Sequence, residues 1–133
     1  MGINHYRDLV AWQLANELKK QVYALVDQST AKTDLRFSGQ IRAAAASGPS
    51  NLAEAFGAYN HPEAARYVRI ARASLVETHN HLGDGVDRGY WTNDQAERVQ
   101  DLADQARKAA GKWLEYLMTT DAPSRWQRRP RRH

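Results

Sequence analysis

Cysteine is absent from the 133 residues, which excludes disulfides, thiolate nucleophiles and cysteine-bound metals. Long apolar runs are missing as well: no stretch approaches the roughly 20 residues that span a bilayer. The opening MGINHYRDLV has no basic head followed by an apolar core, so no secretory leader is expected. Gly2 is present, but Tyr6 occupies the position where a myristoylation pattern needs Ser or Thr. Neither G-x-x-x-x-G-K-[ST] nor G-x-G-x-x-G occurs, so no phosphate loop is expected. No sustained apolar/polar alternation bounded by turns marks a strand. What remains is an all-α protein, expected to be cytoplasmic, away from membranes and without a cofactor.

Charge is unevenly spread. The net of +4 arises at the C-terminal end, where PSRWQRRPRRH holds five Arg and no acid. Residues 1–122 are left with 14 basic and 15 acidic side chains. Two regions follow: a nearly neutral helical body over 1–122 and an Arg-rich segment, expected to be disordered, over 123–133.

Four helices are predicted. The first covers about Tyr6 to Asp27, with Val10, Leu14, Leu18, Val22 and Leu25 on one face. Trp12 and Tyr23 form a second stripe, with Ala15 between the two, which makes these three candidates for a contact with another chain. The second helix runs from Leu35–Ser38 to about Phe56, and Pro49 is expected to kink it. The third spans about Pro62 to Leu82, and the three glycines of GDGVDRGYW are expected to end it. Thr92 and Gln95 fit a capping box opening the fourth, which continues to about Thr119. Short loops between helices of this length imply an up-down-up-down four-helix bundle.

Within QIRAAAASGPSNLAEA (residues 40–55), Gln40, Ser47, Asn51 and Glu54 fall within about 60° of one another on a helical wheel. They form a polar ridge beside the apolar stripe of Ile41, Ala44, Ala45, Gly48, Leu52 and Ala55. Partners for it are expected on the third helix, where Ser74, Glu77 and His81 share a face. With Glu77 included, this ridge has two interpretations: a structural hydrogen-bond network, or a carboxylate pair with split pKa values.

Other candidates also have two interpretations. His79-Asn80-His81 spells a nuclease motif, but consecutive helical residues do not face one another, and no H-x-x-x-H pair occurs. Arg66, Arg69 and Arg72 repeat every three residues; they are either phosphate contacts or a solvated face. The C-terminal Arg125, Arg128, Arg129, Arg131 and Arg132, with Trp126 able to stack on bases, are either a nucleic-acid contact or a solubilising tail.

IRAAAASGPSNLAEAFG, followed by YVRIARASLVE, resembles the signature of the 23S rRNA-intervening sequence protein family. YRDLVAWQLANEL resembles that family's start. Position 43 is Ala where the family favours Arg, and Gly48, Ala55 and Ala73 are further departures. The resemblance implies a four-helix bundle and assembly as a homopentameric ring, and its genomic setting points toward RNA. The expected function is a non-enzymatic, homo-oligomeric scaffold engaging RNA or a ribosome-associated protein. The alternatives are a hydrolase or nuclease using Glu54 and Glu77, or a purely protein-binding module.

Overall fold

In the computed structural model, residues 3–119 are described, and they form four long helices with no strand among them. A 3-10 turn, Tyr6–Asp8, precedes α1 (Val10–Asp27). A second 3-10 turn, Thr30–Thr33, leads into α2 (Leu35–Phe56), followed by α3 (His61–Asp87) and α4 (Asn93–Thr119). Each helix packs antiparallel to the next, and α4 closes the square against α1. The loops after α1 and after α3 share one end of the bundle, called here the upper end. The α2–α3 loop and the start of α1 lie at the lower end.

The core follows the helical apolar stripes. Leu18, Val22, Val26, Ile41, Leu52, Val68, Leu75 and Leu82 are almost wholly removed from solvent. Alanines fill the remaining contact layers, which lets the helices approach closely. Gly48 marks a close approach of α2 to α1 and α3. A Cβ there would lie 3.2 Å from Leu75 Cδ2 and 3.8 Å from the Ala15 Cβ. α2 stays helical through Pro49, which is buried within it.

Two boundaries depart from the sequence-based expectation. The first helix is not continuous from Tyr6. His5 Nδ1 accepts the Arg7 amide and shapes the 3-10 turn, and Leu9 then takes an extended conformation that buries its side chain. The third helix does not stop at Gly83; it continues to Asp87. Gly85 lies inside it because the Trp91 indole packs directly on its backbone, where a Cβ would lie 2.1 Å from Cζ2. Gly89 is the residue that ends α3, at φ +79. Its amide donates to the Val86 carbonyl at 2.9 Å, and the Tyr90 amide donates to the Gly85 carbonyl at 2.9 Å. That pair of bonds is a Schellman motif, which needs a left-handed residue at the position Gly89 holds.

The capping box is present in both directions. The Gln95 amide donates to Thr92 Oγ1 at 3.1 Å, and the Thr92 amide donates to Gln95 Oε1 at 2.8 Å. At the lower end Asn60 Oδ1 caps α3 by accepting the Glu63 amide at 2.8 Å. Glu63 Oε1 in turn accepts the Tyr59 amide at 2.9 Å.

Candidate functional site

The polar ridge of α2 divides in the folded chain. Ser47 and Asn51 are partly buried, and they meet Ser74 of α3. Ser74 Oγ donates to Ser47 Oγ at 2.7 Å, with the Ile70 carbonyl an alternative acceptor at 3.1 Å. Asn51 Nδ2 donates to the Ser47 carbonyl at 2.9 Å and to Ser47 Oγ at 3.0 Å. Thr78 Oγ1, fully buried, donates to the Ser74 carbonyl at 2.8 Å. This is a chain of hydroxyl and amide bonds that fixes the register of α2 against α3.

Gln40, Glu54 and Glu77 do not join it; all three are exposed. The 2.7 Å contact sets Ser47 and Ser74 at one height. Glu54 lies seven residues below that level and Glu77 three above it. At 1.5 Å per residue, they are about 15 Å apart along the bundle axis. Two carboxylates at that separation do not share a proton or a substrate atom, so the pairing needed for acid–base chemistry is not formed. Glu77 instead lies 3.2 Å from His81 Nε2, one turn along α3. His79 Nε2 is 3.9 Å from Asp104 of α4. Among the described residues, no group of three or more metal-ligating side chains comes together.

The second stripe of α1 has partners inside the chain. Tyr6 stands edge-on to Trp12 with centroids 5.2 Å apart. The Arg42 guanidinium of α2 lies 5.9 Å from the centroid of the Tyr23 ring and pairs with Asp27. Ala15 is fully buried in the core. It is therefore not a contact residue for a second chain, whereas Trp12 is partly buried and Tyr23 remains exposed.

At the upper end a cluster joins the two loops. Asp34 caps α2 by accepting the Phe37 amide at 3.2 Å, and Tyr90 Oη donates to its other oxygen. Arg88 Nη1 reaches that same oxygen at 3.3 Å, while Arg88 Nε donates to Asp84 at 2.9 Å. The Tyr90 hydroxyl, then the Phe37 amide, hold the Asp34 carboxyl below the usual carboxylate range. The same bond pushes the Tyr90 phenol up. Arg88 is raised in its turn, first by its bond to Asp84. Sequence inspection did not single out this cluster; a Tyr two residues after an Arg in a loop carries no pattern that identifies a partner 56 residues away.

The arginines of α3 lie in its lower half. Arg66 is exposed, with its guanidinium 4.6 Å from the Tyr67 ring centroid. Arg69, also exposed, donates to Met118 Sδ at 3.4 Å, which sets it beside the last turn of α4. Arg72 lies over Gly111, whose Cβ, if present, would be 3.5 Å from Nη2. Among the described residues none of the three has a carboxylate within ion-pair reach; Glu63 is engaged by the Tyr59 amide. With Arg107, Lys108 and Lys112 they give the lower half of the α3–α4 hairpin six cations against Glu63 and Glu115. The upper half, residues 77–104, carries seven acids against Arg88 and Arg98. Arg125, Trp126, Arg128, Arg129, Arg131 and Arg132 lie outside the described residues, as does the expected boundary at 122/123.

A family model described as 23S rRNA-intervening sequence protein matches residues 7–112. The chain belongs to that family. Among solved structures it is similar to a protein of unknown function from the S23 ribosomal protein family from Bacteroides thetaiotaomicron. The TM-score is 0.74 at 20% identity, over 82% of this chain and 98% of that one. That likeness is one of fold. Among curated proteins no relative matches. The family's helical bundle is therefore the scaffold on which the seams and charges above are arranged. No described helix is long and apolar enough to cross a membrane.

Proposed function

We propose that this member of the 23S rRNA-intervening sequence protein family is a non-enzymatic scaffold that engages RNA through the lower half of its α3–α4 hairpin. The observation that carries this is the placement of Arg69 and Arg72 beside α4, with Arg66 exposed on the same helix and no carboxylate paired to any of the three among the described residues. Arginine matches phosphate geometry, and guanidinium groups free of acids keep that capacity. Arg66 over Tyr67 also offers a flat surface on which a base can stack. Arg69 touches the last turn of α4, and the sequence beyond that helix holds five further Arg.

Homo-oligomeric assembly belongs to this proposal. The ring that the family resemblance implies would repeat the cationic surface in each copy, so weak phosphate contacts would add. Its interface would not include Ala15, which lies in the core. A cytoplasmic location accords with this role. The hydrolase alternative on Glu54 and Glu77 lacks a shared site, because the two carboxylates stand at different heights.

The test is a titration of labelled single-stranded RNA across a salt series, with the mass of the complex followed by light scattering. The expected result is a pentamer, near five times 15.1 kDa, that takes up RNA at low salt. Each lost phosphate contact should flatten the log–log salt slope by about 0.7, so Arg66→Ala with Arg69→Ala should flatten it by about 1.4. Deleting residues 123–133 should flatten it further. An RNA affinity indifferent to salt, or unchanged in these variants, would refute the proposal.

A further inference from the structure

A groove of about 490 Å³ runs along the lower half of the seam between α1 and α4. Val10, at the start of α1, is 61% exposed at its edge, although it is a large apolar residue. Leu14 and Trp113 form the walls, only partly buried, and Ala109 gives a shallow floor. Lys108 and Lys112, one turn apart and exposed, line the α4 rim, and no acid lines the groove. The first turn of α1 begins at Leu9 with no capping side chain, although Asp8, immediately before it, offsets the positive end of the helix.

We propose that this groove docks an acidic amphipathic helix from a partner protein. A small-floored channel between two antiparallel helices has the form into which a third helix lays its apolar ridge. From Gln105 to Trp113 the channel is about 12 Å long, or two turns, which matches apolar anchors at i, i+3 or i+4, and i+7. Carboxylates beside those anchors would meet Lys108 and Lys112, and one at the helix end would supply the cap that α1 lacks. The chain's own residues 123–133 carry five Arg and no acid, so their charge is wrong for this rim. A second copy docking groove to groove would set lysine against lysine. The charge of the groove therefore selects an acidic partner over the chain's own C-terminal segment and over a groove-to-groove dimer, and a copy seated head-to-tail is the outcome that the mass measurement below tests. Lys108 and Lys112 also belong to the cationic lower half of the α3–α4 hairpin, but the groove does not include Arg66, Arg69 or Arg72, and this proposal does not rest on RNA binding.

The probes are two synthetic amphipathic peptides of about 15 residues, sharing one leucine pattern, one flanked by Glu and the other by Lys. Titration calorimetry on the full chain should show binding of the Glu peptide and not of the Lys peptide. Val10→Glu, at an exposed position that leaves folding intact by circular dichroism, should weaken the Glu peptide at least tenfold. Lys108→Glu with Lys112→Glu should reverse the preference. Arg66→Ala with Arg69→Ala should leave peptide binding unchanged while lowering RNA affinity, which separates this proposal from the RNA reading. The proposal is overturned by binding of neither peptide, by equal binding of both, or by indifference to Val10→Glu. It is also overturned if Val10→Glu reduces the mass of the unliganded protein in light scattering, because the groove is then covered by another copy.

Discussion

Replacing Gly85 with alanine pits two effects of known sign against each other. Alanine in a helix interior gains about 1 kcal/mol over glycine, and Gly85 lies within α3. Against this, the new methyl would lie 2.1 Å from Trp91 Cζ2, 2.3 Å from Cε2 and 2.7 Å from Nε1. Carbon atoms in contact sit about 3.5–4.0 Å apart, so a rigid indole must retreat by roughly 1.5 Å. Overpacking of this kind costs about 1–3 kcal/mol, and the upper figure applies because the ring cannot flex. The retreat also strains the bond from Trp91 Nε1 to the Leu82 carbonyl, which is 2.9 Å and buried; losing it costs about 1 kcal/mol. The net expectation for Gly85→Ala is a loss of about 3 kcal/mol, or roughly 10 °C in Tm for a domain of this length. Urea unfolding followed by circular dichroism measures the loss. Gly39→Ala is the control: it is helical with no atom within 4 Å of the added methyl, so it should gain up to about 1 kcal/mol. In a Trp91→Leu background the penalty of Gly85→Ala should largely vanish. A Gly85→Ala protein as stable as the parent, or one equally damaged with and without the indole, would refute the steric argument.

Other outcomes follow from the caps and seams. The Asp34 carboxyl is held low by the Tyr90 hydroxyl, so its stabilisation is complete above the unfolded carboxylate range and lost as pH falls through the folded value. Tyr90 is raised, so its share is present below about pH 10 and lost as pH rises through its folded value. Asp34→Asn keeps an N-cap oxygen yet should flatten the acid side of a pH–Tm profile; an unchanged profile would count against the cluster. Thr92→Ala removes the Oγ1 that accepts the Gln95 amide and should cost about 1 kcal/mol in chemical denaturation. Asn51→Ala should cost about 1 kcal/mol by breaking its bonds to Ser47, whereas Glu54→Ala, at an exposed position, should stay within about 0.5 kcal/mol of the parent. Equal effects at 51 and 54 would show that the division of the ridge is wrong.

The four helices were legible because each repeats its apolar residues at helical spacing and because Thr92–Gln95 and Pro62 carry local start signals. The end of α3 was not. Gly83, Gly85 and Gly89 look alike in one dimension, and only Gly89 reaches a positive φ. Gly85 is glycine on account of Trp91, a tertiary neighbour. The polar ridge was legible as a set of small polar residues on one side of α2. Which of them turn inward depends on the height of α3 beside α2, and the Ser47–Ser74 contact sets that height. Of the second stripe of α1, Ala15 proved to lie in the core for a related reason: periodicity shows that a face is apolar and not what covers it. The α1–α4 groove was not legible, since Val10 and Leu14 belong to the same periodic face as the core residues.

Asp34 belongs to the α1–α2 hairpin and Tyr90 to the α3–α4 hairpin, and their hydroxyl–carboxylate bond exists only once the two hairpins meet at the upper end. Helical signal develops within each hairpin from local contacts. The ionisation of Tyr90, by contrast, senses a residue 56 positions away. Mating of the hairpins thus has its own chromophore: a phenol that resists alkaline ionisation after docking and ionises at the ordinary value before it. With the other five tyrosines replaced by phenylalanine, a rapid-mixing alkaline jump during refolding can time that encounter separately from coil-to-helix conversion.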